Sequence, residues 1–184
     1  MNENIMTSSK RLFNDKIPLI IILLVYIGLV LLVSPVFEFP LNDSGTYAKA
    51  AKYFYENHSI KLSDWTSAFN VFQIWFGSLF LIPFGFSFTM LRISTLIMSL
   101  FGALAFYLIL RELKFSESKS LMATLILIFN PIYLKLTYSF MTDVPFISLT
   151  FLSILFYLKG IRRNSNRLLL IGSLFSIFSL LQRQ

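Results

Sequence analysis

The chain has 184 residues, of which 56% are hydrophobic and 17% aromatic, while only 14% are charged. A soluble domain carries about 25% charged residues, so this composition, gathered into long apolar runs, excludes an ordinary soluble domain and reads as an integral membrane protein. The net charge of +7 does not point to nucleic acid, because the basic residues stand in short clusters between apolar runs, the pattern that orients membrane proteins. The absence of cysteine excludes a disulfide framework and a thiolate metal site.

Residues 1–16 read as a cytoplasmic tail, with 1–14 disordered. Residues 17–36 form the first apolar run, free of charge and long enough for a bilayer core, which needs about 20 residues of helix. Lys10, Arg11 and Lys16 precede it and predict a cytoplasmic N-terminus. No small-x-small site follows, so an uncleaved anchor is expected rather than a signal peptide. Residues 37–68 then break the hydropathy. They hold Glu38, Asp43, Glu56 and Asp64 and the one histidine, His58. Within them, 44–57 reads as an amphipathic helix that Ser44 can cap, with Tyr47, Ala51, Phe54 and Tyr55 on one face.

The stretch 69–86 is rich in Phe and Trp, short before Pro83, and interrupted by Asn70 and Gln73. Four further spans are expected: 92–110, 121–140 with Asn130-Pro131 in its middle, 144–158, and 168–181. Two basic loops, 111–119 and 159–167, separate them and should be cytoplasmic. The N-terminus shares that side, so an even number of crossings must lie between Lys16 and Arg111. Spans 17–36 and 92–110 supply two. The stretch 69–86 is therefore expected to lie along the outer surface as an interfacial helix, the rival being that it crosses and the charge rule fails once. The expected fold is all-α: a polytopic membrane bundle of about five transmembrane helices. Amphipathic juxtamembrane helices fill its first external loop, 37–91, and the chain is expected in the plasma membrane.

An acid at an apolar boundary costs free energy and invites a functional reading. Asp43, in FPLNDSGTYAKAAKYF, and Asp143, in YSFMTDVPF, fall on the same side by the parity argument. Two converging carboxylates can serve as a general base and as a phosphate- or metal-organising group. Each also has a plain reading as a helix cap, with Asn42 and Ser44 beside the first and Pro145 after the second. Tyr47 is either a packing residue of the loop helix or a hydroxyl near an acceptor. His58 has no second histidine or cysteine to make a zinc site with. Arg92, Lys135 and Arg183 stand near external span ends, where snorkelling explains them. Asp64-Trp65 reads as a cap and an interface anchor.

The order of these features resembles the start of a GT-C-type glycosyltransferase. A first span is followed by an external acid in an Asp-x-x-x-Tyr-Ala context, then by a loop with membrane-surface helices, then by GFSFTMLRIST and FNPIYLKLTYSFMTDVPF. The pattern is most similar to the family 39 group, which includes protein O-mannosyltransferases and lipid A aminoarabinose transferases, and it covers roughly residues 17–184. The resemblance implies transfer of a sugar from a polyprenyl-phosphate donor to an acceptor at the external face. It gives Asp43 the role of taking the acceptor's proton or orienting the acceptor. Asp143 would order the site or the donor phosphate, and Arg183 would stabilise the leaving phosphate. The implied partners are a polyprenyl-phosphate-linked sugar and membrane lipids, with no nucleic acid. No cofactor is certain, and a divalent metal is not indicated. Members of the family are usually longer, so the chain is expected to be the N-terminal portion of such an enzyme. A non-catalytic fragment, or an assembly partner completed by a second membrane chain, is the rival reading. A transporter component is less supported, since Asn130 and Lys135 are the few mid-span polar candidates.

Overall fold

The computed structural model describes residues 16–41, 43–61 and 70–183, and every regular element among them is a helix. In chain order these are α1 (Ile17–Val33), α2 (Ser44–Asn57), α3 (Val71–Leu79), α4 (Phe88–Glu112), α5 (Glu117–Phe129), α6 (Pro131–Thr137), α7 (Asp143–Arg162) and α8 (Asn166–Arg183). The expected disordered tail 1–14, Asn42 and Asp64-Trp65 lie outside the described residues. The chain is an all-helical membrane bundle, as its composition requires. In lipid every backbone donor and acceptor must be satisfied within its own segment, and a helix does this.

Two helices are long and apolar enough to cross a membrane alone, α4 with 25 residues and α7 with 20. The expected span 121–140 is not one straight helix: α5 and α6 meet at a bend of 63° and together make a broken span. The cause is local. Pro131 cannot supply a backbone donor to the turn before it and forces Asn130 into extended backbone. Asn130 then restarts the helix, its Oδ1 accepting from the N–H groups of Ile132 and Tyr133 at 3.0 and 3.1 Å. α1 is apolar but has 17 residues, about 25 Å of helix. It ends three residues before the expected boundary, where Ser34-Pro35 stops it. α3, with nine residues, rises only about 14 Å and is too short to cross a core of about 30 Å.

Helices in lipid gain little from burying apolar surface against one another, so close approach and polar ties decide the packing. α4 and α7 meet at Gly102, where an added Cβ would come within 3.0 Å of the Ser148 backbone. α7 and α8 form a hairpin tied by Ser153 Oγ donating to Gly172 O at 2.9 Å, by Thr150 with Ser179 at 2.9 Å, and by Tyr157 with Ser173 at 3.0 Å. Three tyrosines join α1, α4 and α6. Tyr26 donates to Leu96 O at 2.8 Å and lies 2.6 Å from Ser99 Oγ; Tyr133 donates to Ser99 O at 3.1 Å; Tyr138 reaches Leu29 O at 3.1 Å.

The two ends of the bundle differ. At one end Arg162 and Glu112 pair at 3.0 Å, beside the basic turns that follow α4 and α7. At the other, α2 and α3 close over the first turns of α4 and α7 and the last turn of α8. The inner face of α2 (Tyr47, Ala48, Ala51) packs on Leu81, Leu91 and Phe140, with Tyr55 at its edge, much as the amphipathic pattern predicts. α3 seats one of its faces in the bundle. Its Phe72 touches Met98 and Leu149, while Trp75 and Leu79 stay exposed.

Gly102→Leu should overpack the α4–α7 seam and lower stability by about 1–3 kcal/mol. Gly28→Ala, with nothing within 4 Å of the added Cβ, should cost nothing. Thermal melting in detergent, read by loss of monodisperse protein, checks both.

Candidate functional site

The site is best built from the segment between α1 and α2. Phe37, Glu38 and Phe39 lie against the head of α4. The chain bends at Glu38 and Phe39, so that the Glu38 carboxylate meets the helix terminus while the Phe37 ring lies on Arg92 one turn along. The Glu38 carboxylate accepts from Ser87 Oγ at 2.7 Å, Phe88 N at 2.8 Å and Thr89 N at 3.3 Å. It thereby satisfies two backbone donors that the first turn of a helix leaves open and meets the positive end of the helix dipole. Ser87 is itself the N-cap, accepting from Met90 N, and the left-handed turn at Gly85 (φ 74°) brings the chain into it.

Glu38 consequently titrates low. Desolvation, the largest single effect, raises its pKa, but the hydrogen bonds from Thr89 and Ser87 and from the Phe88 and Thr89 backbone together outweigh it and bring it from 4.5 to about 2.

Arg92 stands on the next turn of α4 and is 2% exposed. Its two terminal nitrogens donate to Phe37 O and Phe39 O, and its guanidinium plane lies 3.5 Å from the centre of the Phe37 ring. The expectation that Arg92 snorkels toward water is corrected here. The charge is kept inside by two carbonyls and an aromatic face, partners that a flat fork suits and a point charge does not.

Asp43 follows four residues after Phe39. It occupies the N-cap position of α2, but its side chain makes no capping bond. The turn is fixed instead by Leu41 N donating to Ser44 Oγ at 2.9 Å and by Ser44 N donating to Leu41 O at 3.2 Å. Among the described residues no hydrogen bond or ion pair engages the exposed Asp43 carboxylate. Tyr47, one turn on, is 5% exposed and faces the packing between α2 and the bundle.

Asp143 opens α7 and pairs with Arg183, at the end of α8, at 3.5 Å; their side chains are 29% and 55% exposed. Arg183 also lies 5.6 Å over the Phe146 ring. Beneath this pair, Gln182 is fully buried, donating to Gln73 Oε1 of α3 at 2.7 Å and to Thr142 O at 3.3 Å. Among the described residues, Gln73 Nε2, Gln182 Oε1 and both side-chain atoms of Asn70 are left without a partner.

The structure thus brings Asp143 and Arg183 into contact and puts Asp43 at the same end of the bundle. It sets Tyr47 inside. Lys135 is exposed on α6, and His58 is exposed at the end of α2, adopting a left-handed backbone. No three His, Asp or Glu side chains among the described residues converge in a way that could hold a metal ion. Sequence reasoning passed over Glu38, Gln73 and Gln182. For Glu38 a signal existed: an acid two residues before a proline, at a span end. The two glutamines gave none, because they stand 109 residues apart in the chain.

The family model of dolichyl-phosphate-mannose-protein mannosyltransferases matches residues 71–182, more than half of the chain. The match runs from α3 into the last turn of α8. It includes Arg92 and Asp143 and leaves Asp43 and Arg183 outside. No curated protein and no solved structure matches the chain.

Because Glu38 titrates lower in the folded chain than the ordinary 4.5, its contribution to stability is present above about pH 4.5 and is lost as pH falls toward 2. The difference in melting temperature between the native chain and Glu38→Gln should be largest above pH 5 and should close as pH approaches 2. A gap that does not change with pH would contradict this.

Proposed function

The chain belongs to the dolichyl-phosphate-mannose-protein mannosyltransferase family, and on that premise we propose that this membrane glycosyltransferase uses Asp43, Asp143 and Arg183 at the extracytoplasmic end of its bundle. The substrate read for it is a polyprenyl-phosphate-linked sugar. The observation that carries this reading is the gathering of an unengaged first-loop acid and an acid–base pair at one end, opposite the basic turns that favour the cytoplasm.

In the proposed reaction an acceptor hydroxyl attacks the anomeric carbon. A bond forms between its oxygen and that carbon, and the bond from the carbon to the phosphate oxygen breaks. The polyprenyl phosphate leaves with the electron pair, and the acceptor's proton passes to the Asp43 carboxylate. Arg183 is more than half exposed and can turn from Asp143 toward the departing phosphate, whose growing charge it would offset. Asp143 holds Arg183 in place before the donor arrives. Tyr47 acts at a remove, seating the helix that carries Asp43.

Membranes containing the protein and its acceptors, supplied with polyprenyl-phosphate mannose, test this. Asp43→Asn should slow loss of sugar from the lipid by about 10²–10⁴-fold, the usual contribution of a general base, with the protein still folded. Undiminished transfer would remove Asp43 from its role. Sidedness has its own test, since the chain has no native cysteine. Cysteine in place of the exposed Lys49 should react with an impermeant maleimide from outside intact cells, and cysteine at the exposed Ser118 should not. The reverse would overturn the orientation.

A further inference from the structure

We infer that Glu38 and Arg92 form a clamp that positions Asp43, so that both are positioning residues for the reaction proposed above, on which this inference rests. Neither side chain is placed to touch substrate. Arg92 is buried, and Glu38 spends its carboxylate on the head of α4. Together they tie three consecutive residues to the head of α4. Arg92 holds the carbonyls of Phe37 and Phe39, and Glu38, between them, holds the first turn of α4. Thr89 Oγ1 adds a bond to Phe37 O at 3.4 Å. The Phe37 and Phe39 rings, 4.7 Å apart, lie on the guanidinium side, at 3.5 and 5.9 Å from it.

Contacts among the described residues tie the chain on either side of Asp43. Pro40 fixes its own φ, and its ring lies 3.2 Å from the Cβ position of Gly45. The Leu41–Ser44 bonds close the turn. From the other side, α2 is seated on Leu81, Leu91 and Phe140. The described residues on both sides of the acid are thus tied, Leu41 to Ser44 around it and Phe37 and Phe39 to the α4 head before it. Lysine cannot replace Arg92, because one ammonium cannot bridge two carbonyls two residues apart while lying flat on a ring. The clamp also accounts for a charge at this depth in a spanning helix, where an unpartnered one would be costly.

The test uses the whole chain in proteoliposomes, with Arg92→Lys and, as a milder variant at an exposed position, Glu38→Gln. Two readouts are taken. Chymotrypsin cleavage after Phe37 should speed up in both variants, with helical circular dichroism unchanged. Transfer from polyprenyl-phosphate mannose, normalised to folded protein, should lose about 10²-fold in kcat in Arg92→Lys, the cost of a misplacement near 1 Å. KM for the donor should stay within about twofold, as befits an effect on the transition state alone. Unchanged cleavage in both variants would overturn the clamp. Raised cleavage with unchanged kcat would overturn its positioning role. Full transfer by Asp43→Asn, alongside raised cleavage in Arg92→Lys, would instead sink the catalytic reading and leave the clamp standing.

Discussion

A guanidinium buried within the bundle near the end of a membrane helix is cut off from water and headgroups and must be satisfied by protein. Arg92 meets that demand with the carbonyls of Phe37 and Phe39 and the face of Phe37. Much follows from this choice. The segment leaving α1 is bound to the head of α4, Glu38 falls onto open backbone donors there, and α2 begins a fixed number of residues later. The non-helical backbone at this end is tolerable for the same reason: its polar groups are engaged by side chains rather than left facing lipid.

Elsewhere the bundle uses the small vocabulary open to helices in lipid. Gly102 lets α4 and α7 touch at backbone distance, Gly160 does the same for α7 and α8 at Leu169, and Gly172 makes room for the Tyr157 ring. Hydroxyls of Tyr26, Tyr133 and Tyr138 reach carbonyls of neighbouring helices, ties worth only about 0.6 kcal/mol each on average but directional. They hold the broken α5–α6 span against α1 and α4. The hairpin of α7 and α8 in turn delivers Asp143 and Arg183 to the same end, where Gln182 anchors α3 beneath them. The family assignment, which begins at α3 and runs into the last turn of α8, fits a module whose order of elements is held by these contacts.

The all-helical character, the amphipathic α2 and the existence of α4, α7 and α8 were legible because periodicity and apolar length are local signals. The Asn130-Pro131 pair announced a disturbance, and its consequence, a 63° break, depended on Asn130 capping the helix that follows. The acids at 43 and 143 were legible as boundary charges. What they touch was not. Asp143 was open to a capping role, and its nearest charge is Arg183, forty residues away. The plain reading of Arg92 failed because snorkelling is the default for a cation near a span end, and nothing local shows that Phe37 and Phe39 will fold back over it. Tyr47 was legible as a member of the α2 apolar face, and its burial follows from that face finding Leu81, Leu91 and Phe140.

The central claim is that Arg92 fixes where Asp43 stands. Its most direct test is a pulsed electron-spin distance measurement between nitroxides on cysteines placed at residue 43 and at residue 118, in a chain with no native cysteine. With Arg92 intact the expected result is a single narrow distance. With Arg92→Lys the expected result is a broad distribution, while a control pair on α4 and α7 stays narrow. An equally narrow distance from residue 43 in both chains would contradict it.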